Sequence, residues 1–106
     1  MAQQKRPQPE AVEELYQAVL TLRSEEECRR FFKDLFTLQE LSAFALRLRV
    51  ARMLTEGCTY DRIHERCAVS SGTITRINTE LQYGAGGYHL VLERLNEARG
   101  ADAADK

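Results

Sequence analysis

Proline occurs in this chain only at positions 7 and 9. Because proline breaks the hydrogen-bond pattern of a helix and clashes with the preceding turn, a chain that lacks it from Glu10 onward can form long helices. Apolar residues recur at helical spacing through most of the sequence, interrupted by glycine and by residues that cap helices. The sequence therefore predicts an all-α fold, and its 106 residues correspond to one domain.

Capping residues indicate where the predicted helices begin and end. Ser24 precedes three consecutive glutamates, which the helix dipole favours in a first turn. Thr37 and Glu40 have the spacing of a capping box at the start of the third helix, and Gly57 is placed to end that helix. Two apolar stripes on the third helix predict burial on more than one side, as at the centre of a dimer.

The two ends of the chain differ in composition from its middle. Residues 1–9 are polar and contain both prolines, so we expect a disordered N-terminal arm. Residues 10–98 form the predicted helical domain, in which the run GAGG at 84–87 predicts a hinge before a last amphipathic helix. Residues 99–106 are small and charged, and we expect a flexible tail.

The segment 59–82 has the pattern of a helix-turn-helix. Thr59 can cap a first short helix, and after a turn at residues 68–70 either Ser70 or Ser71 can cap the second. Small polar residues and one arginine face outward from the second helix, where free backbone N–H groups and hydroxyls can bind phosphate. The outward residues are Ser71, Gly72, Thr73, Thr75, Arg76 and Thr79.

This pattern predicts binding to double-stranded DNA, but two short helices joined by a turn also occur in proteins that never contact DNA. A hydroxyl-rich helix start can serve capping alone, so a helical protein-interaction module that has lost DNA binding is the main alternative. The net charge of −1 favours that alternative, because DNA-binding proteins are often basic. Against it, residues 43–82 carry six arginines and four acids, so the chain can present a weakly basic face.

No sequence pattern predicts catalysis, and we expect a protein that is not an enzyme. The chain has no phosphate loop, GxGxxG or GxSxG sequence. Its cysteines and histidines lack the paired spacing of a zinc site, so no metal is expected. The residues considered for zinc are Cys58, His64, Cys67 and His89. Reduced thiols, together with the lack of a signal peptide or an apolar span, predict a cytoplasmic protein without membrane contact.

The region from Phe36 to Leu81 resembles the trp repressor superfamily. The shared landmarks are Thr37, the stretch Arg47-Leu48-Arg49, Gly57, and the run Gly72-Thr73-Ile74-Thr75-Arg76. A longer signature, TITRINTELQYGAGGYHLVLERL at residues 73–95, is similar to the YerC/YecD-like branch of that superfamily. The resemblance covers residues 15–95.

The resemblance implies a six-helix trp-repressor-like fold and an intertwined homodimer, whose two recognition helices enter successive major grooves of a palindromic operator. It thus implies a sequence-specific DNA-binding transcription regulator, most simply a repressor. The positions that match the family's DNA contacts are Ser71, Gly72, Thr73, Thr75 and Arg76. His64 stands where the repressor has a lysine, which weakens one expected phosphate contact at neutral pH.

The same resemblance places an effector or structural pocket beside the recognition helix. Arg47 and Arg76 match the two arginines that sandwich tryptophan in the trp repressor, and Thr37 matches another pocket residue. Ile77 replaces a glycine that makes room for the ligand, and Glu80 replaces a serine that contacts its amino group. We therefore expect no tryptophan corepressor, because Ile77 fills the space of the indole. A different small ligand, or an internal ion pair between an arginine and Glu80, remains open.

Overall fold

The computed structural model describes residues 8–104, and this part of the chain contains six α-helices and no strand. The helices are α1 (Pro9–Leu20), α2 (Glu25–Leu35), α3 (Leu38–Thr55), α4 (Tyr60–Cys67), α5 (Ser71–Tyr83) and α6 (Gly87–Ala104). The prediction of an all-α, six-helix fold is confirmed. The chain divides into two compact units between Leu41 and Ser42, which we call the N-terminal unit and the C-terminal unit.

The predicted caps of α2 and α3 are present. Ser24 Oγ accepts a hydrogen bond of 3.1 Å from the backbone N–H of Glu27. Thr37 and Glu40 form the capping box: Thr37 Oγ1 accepts from Glu40 N at 3.1 Å, and the Glu40 carboxylate accepts from Thr37 N at 2.9 Å. These bonds satisfy backbone donors that a helix start otherwise leaves unpaired.

Gly57 ends α3 as predicted. Its φ of 84° lies in the left-handed region, which glycine adopts without steric cost. Gly57 N donates to Leu54 O at 3.1 Å, and Cys58 N donates to Met53 O at 3.0 Å. This pair of bonds is the Schellman arrangement, and it leads the chain directly into α4.

The ends of the helical region differ from the predicted boundaries. α1 begins at Pro9 rather than Glu10, since proline suits the first helical position, where an N–H has no helical partner. Residues 1–7 of the expected disordered arm lie outside the described residues. α6 continues to Ala104, beyond the predicted domain end at residue 98, because the single glycine at position 100 does not stop it. None of the described helices combines the length and apolar character that crossing a membrane requires.

In the N-terminal unit, α1 and α2 contain no buried residue. Phe32 contacts two other rings, whose centroids lie 6.0 Å away for Phe31 and 5.3 Å away for Phe36. Large apolar side chains of this unit nevertheless stay exposed. They are Leu15, Tyr16, Val19, Leu20, Leu35 and Leu38.

The C-terminal unit contains the hydrophobic core of the described chain. Its buried residues are Val50, Ala51, Ile63, Cys67, Ile74, Ile77 and Leu92. Ile63 of α4 and Ile74 of α5 are fully buried, and burying one such side chain stabilises a fold by about 1.5–3 kcal/mol. Because both helices contribute to one core, that core holds α4 and α5 in a fixed arrangement.

Candidate functional site

The predicted helix-turn-helix is formed by α4, a turn at residues 68–70, and α5. Thr59 caps α4 by accepting a hydrogen bond of 3.2 Å from a backbone N–H of the first turn. At the end of α4, Ala68 has a left-handed backbone with a φ of 53°, which changes the direction of the chain. Ser70, rather than Ser71, caps α5, because Ser70 Oγ accepts from Thr73 N at 3.2 Å.

Apolar side chains hold α5 against α4. Ile74 and Ile77 are buried on one side of α5, and Ile63 and Cys67 are buried on α4. Val69 of the turn packs against the same core. The position of α5 is therefore set by its buried side, and its other side is left to solvent.

The predicted DNA-contact residues of α5 lie on that solvent side. All are exposed: Ser71, Gly72, Thr73, Thr75 and Arg76. A Cβ added at Gly72 would make an ordinary van der Waals contact with Ser70 Oγ at 3.8 Å. The backbone N–H groups of Ser71 and Gly72 have no hydrogen-bond partner within residues 8–104, as in the first turn of most helices. This end of α5 can offer N–H donors, hydroxyls and a guanidinium to an anion.

His64, the remaining predicted DNA-contact residue, is exposed on α4. Its Nδ1 lies 2.5 Å from the carbonyl oxygen of Val69 and donates a hydrogen bond to it. Since Val69 precedes the cap residue of α5, the imidazole lies beside the N-terminus of that helix. The sequence did not predict this bond, because a spacing of five residues across a helix end is not a recurrent side-chain pattern.

Four of the five predicted pocket residues line one cavity of about 380 Å³. They are Arg47, Arg76, Ile77 and Glu80, and Tyr88 of α6 completes the lining. A second cavity of about 260 Å³ shares Arg47, Arg76 and Ile77 and also reaches Thr73. Residues from α3, α5 and α6, distant in sequence, therefore meet beside the recognition helix.

Every residue that lines these two cavities belongs to the C-terminal unit. Thr37 belongs to the N-terminal unit, where its side chain and backbone form the capping box with Glu40. Its hydroxyl accepts the capping hydrogen bond, and the assignment of Thr37 to the pocket stays a prediction.

Among residues 8–100, whose side chains the structure describes, the two arginines of the cavity have no acidic partner. An ion pair closer than 4.0 Å is found in this part of the chain only inside α2. Glu80 therefore lines the cavity without pairing to Arg47 or Arg76, and the internal ion pair left open by the sequence is not formed. Arg47 instead lies over the ring of Phe44, with Cζ 5.3 Å from the ring centroid, at the distance of a cation–π contact.

Sequence analysis did not single out Tyr88 as a cavity residue. The tight turn before it has Gly86 at a φ of 85°, and a Cβ added to Gly84 would lie 2.5 Å from the carbonyl oxygen of Glu80. The glycines at 84–87 thus let α6 start close to the end of α5. An aromatic residue directly after a glycine run was the available signal. Among the described residues, no three His, Cys, Asp or Glu side chains are grouped as metal ligands would be.

Six helices, a three-residue turn and an exposed, hydroxyl-rich helix start define a helix-turn-helix protein. More specifically, the chain belongs to the Trp repressor protein family, whose sequence profile matches residues 10–96. The family resemblance found in the sequence is thereby confirmed. The family is one of regulators rather than enzymes.

The chain is also similar to individual members of this group. It is 43% identical over 86 residues to the uncharacterised protein YerC of Bacillus subtilis (strain 168), covering 81% of this chain and 83% of that protein. A TrpR-like protein from Eubacterium eligens ATCC 27750 superposes with a TM-score of 0.80 at 43% identity, covering 84% of this chain and 92% of the other. A proposed Trp repressor from Staphylococcus aureus superposes with a TM-score of 0.79 at 40% identity, covering 84% of this chain and 89% of the other. These similarities confirm the trp-repressor-like fold.

Proposed function

We propose that this protein is a DNA-binding transcription regulator, acting as a repressor, that reads double-stranded DNA with the N-terminal end of α5. The observation that carries the proposal is the exposed, hydroxyl-rich start of α5, held in place by Ile74 and Ile77 on its buried side. Membership of the Trp repressor family supports the same function.

The groups at the start of α5 suit different kinds of DNA contact. The free N–H groups of Ser71 and Gly72, at the positive end of the helix dipole, suit a phosphate. The hydroxyls of Thr73 and Thr75 suit phosphates or base edges. Arg76 suits either a phosphate or the O6 and N7 atoms of guanine, so it is the residue with the greatest capacity for sequence recognition.

In this proposal the active form is a homodimer. Leu20 and Leu38 are each 83% exposed in the single chain, and neither α1 nor α2 has a buried residue. Exposed apolar surface of this kind is typical of an interface between subunits. Two-fold symmetry would present two copies of α5 to successive major grooves of a palindromic operator. Such a regulator acts on DNA in the cytoplasm and needs no membrane partner.

The cavity beside α5 is, in the same proposal, an effector or structural pocket that does not use tryptophan. Ile77 is only 3% exposed and lines both cavities, so its side chain occupies space that a bulky aromatic ligand would need. Arg47 and Arg76 contribute two positive charges and Glu80 one negative charge, so the lining carries a net positive charge. In this proposal a small effector of the pocket would carry negative charge.

Selection of duplexes from a random pool, followed by binding at increasing salt, tests the proposed function. We expect enrichment of a palindromic sequence and an affinity that falls as salt rises, because phosphate contacts release counterions. Arg76→Ala should weaken binding by about tenfold or more. Arg99→Ala removes the same charge from the exposed side of α6 and should leave affinity unchanged. A chain that enriches no duplex at low salt would contradict the proposal.

The alternative function is a helical protein-interaction module that has lost DNA binding. The net charge of −1 favours it, as does the presence of a single basic residue, Arg76, on α5. The same experiment separates the two functions. A module of this kind would bind no selected duplex, and a DNA-binding regulator would show the salt dependence and the Arg76→Ala loss.

A further inference from the structure

Thr79 lies on the exposed side of α5, two helical turns beyond Gly72. Each residue of an α-helix rotates the chain by about 100°, so positions seven residues apart face in nearly the same direction. Thr79 therefore faces the same way as Gly72. The side chains of Ile74 and Ile77 are buried on the other side of the helix. A surface that meets the α5 backbone at Gly72 also meets Thr79, about 10 Å further along the helix axis.

The hydroxyl of Thr79 is engaged inside the helix. Its Oγ1 donates a hydrogen bond of 2.9 Å to the backbone carbonyl oxygen of Thr75. A threonine hydroxyl has one hydrogen to donate, so Thr79 has no donor left for a ligand. It offers instead a γ-methyl group and an oxygen that can only accept. Its chemistry therefore differs from that of the hydrogen-bond donors at the start of α5.

The exposed side of α5 changes in character along its length. Its start carries hydroxyls, free N–H groups and Arg76, whereas Tyr83, one turn beyond Thr79, presents an aromatic side chain that is 81% exposed. Glu80, the single acidic residue of α5, lies about 100° further round the helix and lines the cavity. Thr79 thus begins a less polar part of the same exposed side.

Helix stability does not account for a threonine at this position. Thr79 is exposed, so it is not part of the core, and the cap of α5 is Ser70. Threonine is a weaker helix former than alanine, lysine or glutamate, because its branched side chain loses rotamer freedom. A hydroxyl bonded to the carbonyl four residues earlier also slightly destabilises a helix. A role in recognition gives a reason for this side chain.

We propose that Thr79 determines base specificity by placing its γ-methyl group against the C5-methyl group of a thymine in the major groove. The inference rests on the DNA-binding function proposed above and adds a base contact beyond the start of α5. The thymine methyl is the apolar group that base pairs present in the major groove. The other groups of thymine and the purine N7 and O6 atoms require a donor, which Thr79 lacks.

Replacement of single thymines by deoxyuridine tests this contact, because uracil lacks only the C5-methyl group. The probe is the duplex that the unmodified chain enriches from a random pool, with each thymine replaced in turn in both half-sites. At one thymine position the unmodified chain should lose about fourfold in affinity for each half-site, as expected for one buried methyl group. Thr79→Ser keeps the hydroxyl and removes the methyl, so it should bind the thymine and uracil duplexes equally well at that position.

Two further variants separate the methyl contact from other effects. Thr79→Val keeps a methyl group and removes the hydroxyl, so it should retain the preference for thymine over uracil. Thr21→Ser is the matched control, because Thr21 is an exposed threonine whose hydroxyl also donates to a helix carbonyl, that of Ala18, at 2.6 Å. It should bind both duplexes as the unmodified chain does. Circular dichroism of each variant separates loss of a contact from loss of the fold.

Three results would overturn the role of Thr79 and leave the proposed DNA binding intact. They are an unmodified chain that no uracil replacement weakens, a Thr79→Ser variant that keeps the full penalty at every position, and a Thr79→Val variant that loses the thymine preference. A chain that enriches no duplex at low salt would overturn the DNA-binding function itself.

Discussion

Arg47 on α3 and Arg76 on α5 line one cavity, and neither is paired with an acidic side chain in the part of the chain that the structure describes. Glu80 lines the same cavity and offsets one of the two charges, so a net positive charge remains that would attract an anion. Ile77 lies next to both and limits the size and shape of what can enter. The cavity thus combines an attraction for negative charge with a steric barrier to a large aromatic group.

L-tryptophan should therefore fail to bind. Titration calorimetry with the amino acid up to about 1 mM should show only the heat of dilution, because the buried Ile77 side chain obstructs the space that an indole ring requires. Arg47→Ala, which removes one of the two charges, should give the same null result. Micromolar binding by the unmodified chain would contradict the prediction.

Gly72→Ala should weaken DNA binding without harming the fold. The added methyl would meet only Ser70 Oγ, at 3.8 Å, and alanine is favoured over glycine in a helix by about 1 kcal/mol. The free energy of unfolding in urea should therefore stay the same or rise. DNA affinity should fall, since the methyl stands between the helix backbone and a phosphate.

Gly100→Ala is the matched control for that variant, because Gly100 is an exposed helical glycine of α6 with nothing within 4 Å of an added Cβ. It should be stabilised to a similar extent and keep its DNA affinity. If the two variants bound DNA equally well, the prediction that the α5 backbone closely approaches DNA at Gly72 would be wrong.

Ala68→Gly should stabilise the chain. Ala68 has a φ of 53°, a left-handed conformation that costs an alanine about 1–2 kcal/mol and a glycine almost nothing. After the extra flexibility of glycine in the unfolded chain is subtracted, the free energy of unfolding should rise by about 0.5–1 kcal/mol, measured by urea denaturation. Ala85→Gly, at an exposed loop residue without positive φ, should give no such gain.

On the proposed homodimer, Leu38→Glu should shift the protein from dimer to monomer. Leu38 is 83% exposed in the single chain, and a glutamate placed in an apolar subunit interface would be buried without a partner. Sedimentation velocity over a range of concentrations measures the shift. Gln39→Glu adds a negative charge at the neighbouring exposed position and should remain dimeric. An unmodified chain that sediments as a monomer at every concentration would rule out the homodimer.

Local sequence signals were sufficient to predict most of the helix starts and ends. The capping box of Thr37 and Glu40 and the left-handed glycine at position 57 each depend on residues within about one helical turn, so their pattern is visible without tertiary information. The end of α6 was placed too early, because a stretch of small and charged residues stops a helix less sharply than proline does. The choice between Ser70 and Ser71 also needed the structure, since both have suitable side chains.

Features of the candidate site that depend on distant contacts could not be predicted from the residues alone. Tyr88 meets Arg47 at the cavity only because the glycine turn starts α6 close to the end of α5. The bond from His64 to Val69 depends on the left-handed turn residue between them. The family resemblance supplied the pocket positions, and the assignment of Thr37 to the pocket stays a prediction.

Thr73 and Arg76 belong both to the exposed start of α5 and to the wall of the adjacent cavity. A substitution at either position alters the DNA-facing surface and the cavity at the same time. On the proposed function, the same positions of α5 therefore determine both which DNA sequence is bound and which ligand fits the cavity. The two properties are expected to change together as homologues evolve. Lineages that change their ligand and keep their target genes are expected to vary instead on the other walls, at positions such as Ala43 and Tyr88.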